Sequence, residues 1–271
     1  MRAAFRATVL ITLAAGVLAG CAKHNPTAPI ASSNGVPGDF YRLWGSSYVD
    51  GAAFFSSGED TAGQLVTMTV DGLPVAAALI RAGGRYVNVG TVRVGQSPPI
   101  ASFVDTLARR SVPVYGTPWY LYTSVPNLAA LPPVTFDGVA QHHFRVSGSV
   151  DFAAFDDSIL SVRPPVVSAP AIGATVPRTS DLIVNWSDAG SDPDVQMICF
   201  VRSAVNSNIA PGLHARDLDG AATIQRFALE ALPPGEARLT VIRYRAVRRV
   251  NGPVAVNLKC EAIVRRALTL Q

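Results

Sequence analysis

Charge is scarce in this 271-residue chain: Asp, Glu, Lys and Arg together make up 15% of it. Histidine and cysteine are scarcer still, at four and three residues. So few ligating and nucleophilic side chains leave little material for a metal centre. No Cys/His spacing matches a zinc site, no Gly-rich run matches a phosphate loop, and no Gly-x-Ser-x-Gly elbow occurs. No apolar run reaches the ~20 residues of a transmembrane helix, and no long stretch has the period of an amphipathic helix. A hydrophobic fraction of 49% rules out wholesale disorder. The 22 glycines and 20 prolines are spread along the chain between short apolar runs, a pattern that predicts an all-β protein. The length suits about two domains.

The N-terminus is ordered by type. Arg2 and Arg6 give a basic start, and Ala7 to Val17 is apolar apart from Thr8 and Thr12. Leu18-Ala19-Gly20-Cys21 follows at once. Residues 2–21 resemble the signal peptide and lipobox of bacterial lipoproteins. The resemblance implies cleavage after residue 20, a lipid on Cys21, and a membrane as partner. Two or more acyl chains would anchor stably where one would not. Ala22 in place of Asp implies the outer rather than the inner membrane if the organism has two. Losing Arg2 and Arg6 takes the 23 basic residues to 21, against 19 acidic ones, so charge gives no argument for nucleic acid. Residues 21–38 are rich in Pro, Ser, Asn, Thr and Ala and are expected to form a flexible tether.

Two β-rich segments are predicted, 39–163 and 164–271, divided at Pro164-Pro165. In the first, Ser47 to Phe55 reads as a strand. Gln64 to Val70 alternates, and Asp71-Gly72 turns it into Leu73 to Ile80 as a hairpin. Gly83-Gly84 marks another turn, and strands are expected at Arg85 to Val94, Val112 to Tyr122 and His142 to Phe152. Phe103, Leu107 and Arg110 fall at helical spacing and predict a turn or two of helix within Ala101 to Arg110. This segment has a general likeness to immunoglobulin-like or transthyretin-like modules of cell-surface proteins.

In the second segment, strands are predicted at Asp181 to Trp186, Val195 to Arg202, Thr223 to Leu229, Ala237 to Val250 and Val254 to Leu270. Ala228 to Leu232 also suits a helical turn. Gly173 to Val176, Asp181 to Trp186, Ser191-Asp192-Pro193-Asp194, and Leu232-Pro233-Pro234-Gly235 before Leu239-Thr240-Val241 resemble fibronectin type III or immunoglobulin-like modules. The resemblance implies a β-sandwich with Trp186 packed between its sheets. Ala237 and Leu239 stand where such modules usually have a tyrosine.

Cys199 and Cys260 lie in apolar strand contexts of a chain expected to be exported, where disulfides persist. A bridge would close a loop of about 61 residues, worth about 4 kcal/mol in the chain-entropy model. The fibronectin-like order opposes it, because the third and seventh strands flank the sixth and do not touch. The alternatives are a bridge with a different strand order or two buried thiols, and the compartment argues for the bridge. His142 and His143 are adjacent and should face opposite ways on a strand, which disfavours joint metal ligation. Asp188, Asp192 and Asp194 make an acidic loop that suits either a plain turn or Ca²⁺. Trp119, Tyr120 and Tyr122, with Tyr115 nearby, suit either a core strand or a sugar platform. Arg238, Arg243, Arg245, Arg248, Arg249, Arg265 and Arg266 crowd the last two strands. A bulge near Val241-Ile242 is expected to turn those of the first strand to solvent, with an anionic polymer or phospholipid headgroups as the other reading.

The sequence thus predicts an all-β, lipid-anchored envelope protein of two β-sandwich domains, with a binding, adhesive or structural role and an envelope protein or glycan as partner. It predicts no cofactor and no enzyme activity. The alternatives are an accessory ligand- or polysaccharide-recognising lipoprotein of an uptake system and, last, a hydrolase.

Overall fold

A computed structural model describes residues 63–82, 85–97, 102–114, 117–124, 134–205 and 210–271. The leader, Cys21, the tether, the strand expected at Ser47 to Phe55, Tyr115 and the Gly83-Gly84 turn lie outside the described residues.

The chain is all-β. Its first half contains β1 (Gly63–Val70), β2 (Leu73–Leu79), β3 (Arg81–Ala82), β4 (Arg85–Tyr86), β5 (Val92–Ser97), β6 (Ser102–Thr106), β7 (Ala108–Val114), β8 (Thr117–Thr123), β9 (Gln141–Val146) and β10 (Phe155–Leu160). Its second half contains β11 (Val166–Ala169), β12 (Ala174–Val176), β13 (Leu182–Ser187), β14 (Val195–Ser203), β15 (Gly212–Arg216), β16 (Ala221–Ile224), β17 (Gly235–Asn251) and β18 (Val254–Leu270). A short helix, α1 (Arg226–Glu230), is the described α-helix of the second half.

The strands form one large sheet and two smaller ones that cover it. The nine-stranded sheet runs β15-β14-β17-β18-β1-β2-β8-β7, and β12 pairs with β18 beyond the end of β1. A four-stranded sheet, β10-β9-β5-β6, covers one half of its front face, and a three-stranded sheet, β11-β13-β16, covers the other. β3 and β4 form a separate two-stranded ribbon. The second half alone reproduces the sandwich order of fibronectin-like modules, with three strands facing β15-β14-β17-β18 and β12 beside the last strand.

Asp71 and Gly72 both take positive φ, 49° and 87°, as the two-residue type I′ turn between β1 and β2 requires. The helix expected within Ala101 to Arg110 is instead the two strands β6 and β7, joined at buried Leu107. Tertiary pairing with β5 and β8 overrides three helix-spaced residues. Val112 to Tyr122 is likewise a hairpin, β7–β8, and the strands expected from Arg85 and His142 are shorter than their apolar patterns.

β17 and β18 make a hairpin of two 17-residue strands, which joins the halves. Val256 to Ile263 of β18 pair in parallel with Gly63 to Val70. Val254, Val256, Leu258, Cys260 and Ala262 enter the core under the four-stranded sheet, together with Leu65, Val94, Phe144 and Ile159. Leu239, Val241, Leu268 and Leu270 enter the core under the three-stranded sheet with Val184, Met197 and Leu213. Strand pairing and packing therefore both cross the boundary expected at Pro164.

The rear face of the large sheet carries a third apolar cluster. Val66, Met68 and Val70 of β1, Val75, Ala77 and Leu79 of β2, Ile198 and Phe200 of β14, Ile242 and Ile263 are all buried, with Ala210 beside them. Among the described residues, none of the three- or four-stranded sheet belongs to this cluster.

Candidate functional site

The chemistry-bearing side chains gather at two places on the front face. The first is the seam where the three- and four-stranded sheets meet over β17. No register shift interrupts the pairing of β17 with β14 or with β18, so the bulge expected near Val241-Ile242 is absent. Strict alternation then carries Arg243 onto the front face behind Leu239 and Val241. Arg243 is 2% exposed. Its Nε donates to Asp217 Oδ1 at 2.9 Å, Nη1 to the Arg163 carbonyl at 3.2 Å, and Nη2 to the Ser187 carbonyl at 3.3 Å. The other carboxylate oxygen of Asp217 accepts the Gly190 N–H at 2.8 Å, and its backbone carbonyl accepts the Trp186 indole N–H at 2.9 Å. One buried cation thus holds the linker before Pro164, the end of β13 and the 3-10 turn at Asp217–Asp219 together. Trp186 lies in the core between the three-stranded and large sheets.

The arginines expected to face solvent are mostly engaged. Arg245 donates to Asp192 Oδ2, Arg249 Nε to Asp157 Oδ2 at 2.6 Å, and Arg266 Nη2 to the Val167 carbonyl. Arg265 donates from its backbone N to Asp71 Oδ1 at 3.0 Å and from Nε to Asp71 Oδ2 at 2.6 Å. A basic face free for an anionic polymer does not form around these four residues. The hydrogen bond from Arg245 holds the Asp192 carboxyl below its usual range, and Asp192 Oδ1 accepts the Asp194 N–H at 2.9 Å. The acidic loop is therefore a tied turn, and among the described residues no group of three or more His, Cys, Asp or Glu is placed to hold a metal.

The second gathering surrounds His142. It is fully buried, and its Nε2 lies 2.8 Å from the Thr135 carbonyl. A carbonyl only accepts, so Nε2 carries the proton and Nδ1 is an acceptor. The Thr67 hydroxyl donates to Nδ1 at 2.7 Å, and Cys260 Sγ lies 3.6 Å from the same nitrogen. Phe136 packs edge-on against the ring at 5.0 Å. A cysteine beside a histidine suggests a nucleophile, but the electrostatics point the other way. Burial pushes the Cys260 thiol up to about 12 and holds His142 below its usual value, so both stay neutral. The cluster is an interior hydrogen-bond set that aligns β1, β9 and β18. His143, on the opposite face, meets the Ser97 hydroxyl at 2.7 Å.

The expected Cys199–Cys260 bridge is corrected: both thiols are free and buried. Cys199 on β14 lies opposite Val241 and Cys260 on β18 opposite Arg245, so all of β17 stands between them. Two strand spacings of ~4.8 Å exceed disulfide reach even before that offset is added. Tyr122, in the aromatic strand β8, is buried, and its hydroxyl accepts the Val89 N–H and donates to Asn88 Oδ1. Tyr120 packs partly buried against the same core, with Arg109 5.8 Å over its ring. Neither ring serves as an open sugar platform.

No protein-family model and no curated protein matches the chain. Solved structures similar to it include the fibronectin(III)-like modules of CbhA from Clostridium thermocellum, at 10% identity and a TM-score of 0.24, covering 78% of this chain and 90% of that one. A three-immunoglobulin-domain structure of titin, I67–I69, matches at 10% identity and a TM-score of 0.18, covering 77% of this chain and 62% of that one. Scores this low carry no residue correspondence; the all-β sandwich assignment rests on the strand order itself.

Proposed function

We propose that this chain is a lipid-anchored protein of the bacterial envelope, held to the membrane through Cys21, with a binding or structural rather than a catalytic role. The observation that carries the role is the use made of its reactive groups. Arg243, Asp217, His142 and Cys260 are buried and spent on holding strands together. The anchor is supported by the order of basic, apolar and small residues before Cys21. The outer membrane is the expected destination, and an envelope protein or glycan the expected partner.

Intact-mass analysis of protein extracted from membranes tests the anchor. The expected result is an N-terminus at Cys21 carrying diacylglycerol, with Cys21→Ser leaving uncleaved precursor or released protein. A mature N-terminus elsewhere, or no lipid mass, overturns the anchor and leaves the β-fold untouched.

A further inference from the structure

We propose that His142 is an acid-sensitive latch: neutral, it holds residues 134–140 and β9 against the large sheet, and on taking up a proton it lets them go. The inference goes beyond the role proposed above and does not depend on whether Cys21 carries lipid.

The ring sits where three pieces of chain meet between the layers. From β9 its Nε2–H donates to the Thr135 carbonyl at 2.8 Å, and its Nδ1 accepts the Thr67 hydroxyl of β1 at 2.7 Å. Residues 134–140 close over it: Val134 and Phe136 pack into the same core, with Phe136 edge-on to the imidazole. The bond from Thr67 to Nδ1 ties the front layer to the large sheet, and it needs a neutral ring.

A second ring proton would sit on Nδ1, facing a hydroxyl that already donates there. For Thr67 to accept instead, its own hydrogen must turn away, and Cys260 Sγ, 3.6 Å from Nδ1, is a weak acceptor. The new charge would also lie in an apolar layer, in one core with Val94, Phe144, Ile159 and Leu258.

The charges around the ring do little to hold a cation there. Asp137 favours a protonated ring, but its Oδ1 already accepts the Val139 and Ala140 N–H groups and the Ser161 hydroxyl. His143, next along β9, disfavours it. On the flanking strands His142 stands opposite neutral Gln96 and Ile159. β1 presents Thr67, and β18 presents Cys260, whose thiol stays neutral. Arg245, opposite Cys260 on β17, is bound to Asp192, and Asp157 on β10 is bound to Arg249. Burial outweighs the pull of Asp137 and holds His142 below its ordinary value of 6.5.

Below 6.5 a released ring, in water, binds a proton that the latched ring refuses. The released state then holds more protons and gains as pH falls. While the latched ring stays neutral, going from pH 7.5 to 5.5 raises the released population about tenfold.

Hydrogen exchange of the full-length chain tests the latch, with His142→Gln as the reference. Glutamine keeps a donor and an acceptor but does not titrate. Between pH 7.5 and 5.5, the protection of residues 134–146 in the wild type, divided by that in the variant, should fall about tenfold. The same ratio for β13, which lies over the other core, should stay within about twofold. Glu261 alternates to the rear face of β18 and titrates in both proteins, so its effect cancels in the ratio. A ratio that stays flat for 134–146, or falls as far for β13, overturns the proposal. If the variant does not fold, NMR titration of the wild-type ring decides. The folded chain should keep His142 neutral at pH 5.5, with its proton on Nε2; a folded ring that titrates at 6.5 or above overturns the proposal.

Discussion

Arg243 reaches across the seam between the two smaller sheets and donates to Asp217 at 2.9 Å, with both side chains 3% exposed. The pair ties the last long hairpin to the loop structure of the second half, and a further hydrogen bond to the Arg163 carbonyl ties in the first. Removing one member leaves the other charge buried and unpaired. Arg243→Ala is expected to cost about 3–5 kcal/mol, while replacing both members by apolar residues of similar volume should cost much less. Denaturant melting of the two single variants and the double variant measures this. Additive costs would show that the ions do not act as a pair.

The two thiols give a second test. Both are buried and each is pushed up to about 12 by burial. Maleimide or a chromogenic disulfide should leave Cys199 and Cys260 unmodified in the folded protein and label both in denaturant without reductant. Peptide mapping that finds them linked would contradict the strand order described above.

Glu261 governs a third outcome. Burial pushes its carboxyl up to about 8, against a smaller opposing pull from Lys259. The unfolded chain gives up this proton near pH 4.5, the ordinary value for a glutamate, and the folded chain only at about 8. Between those values the folded state holds more protons, so its stability falls as pH rises. One such group contributes a slope of up to about 1.4 kcal/mol per pH unit. Glu261→Gln should remove that slope, and the variant should gain on the wild type from pH 5.5 to 8. Denaturant midpoints across that range check it; a constant difference between the two proteins would refute it.

The shared hairpin predicts how the protein unfolds. Leu258 lies in the core under the four-stranded sheet and Leu239 in the core under the three-stranded sheet, on strands of one hairpin. Leu258→Ala and Leu239→Ala should each cost about 2–5 kcal/mol and lower the same calorimetric transition. A fragment of residues 164–271 loses β1 and leaves Val256, Leu258 and Cys260 without their partners. It should melt without cooperativity. Two separable transitions in the full chain would contradict the coupling.

Much of the fold was legible where the signal is local. The Asp71-Gly72 turn, the apolar run of β14 and the two long last strands can be read from alternation and turn chemistry, and the burial of Trp186 follows from the resemblance to fibronectin-like modules. The parallel pairing of β1 with β18 leaves no such mark, because it joins residues some 190 positions apart. Without that pairing in view, Pro164-Pro165 reads as a boundary and Leu258 as part of a separate core. The arginines were misplaced for a related reason. The alternation changes phase near Val241-Ile242, which suggests a bulge, whereas the atoms of Asp217 and Arg163 that let Arg243 stay buried are distant in sequence. The Cys199–Cys260 bridge drew on the compartment, which speaks to whether a disulfide survives and not to whether two sulfurs meet.

β1 and β18 run in the same direction, side by side, over eight residues. A force that pulls Gly63 one way and Leu270 the other acts along both strands at once. The load is then shared by every rung of that ladder in shear, and no single hydrogen bond meets it first as it would at the end of an unzipping hairpin. The ladder therefore resists separation of Gly63 from Leu270 along the strand axis more than a hairpin resists unzipping.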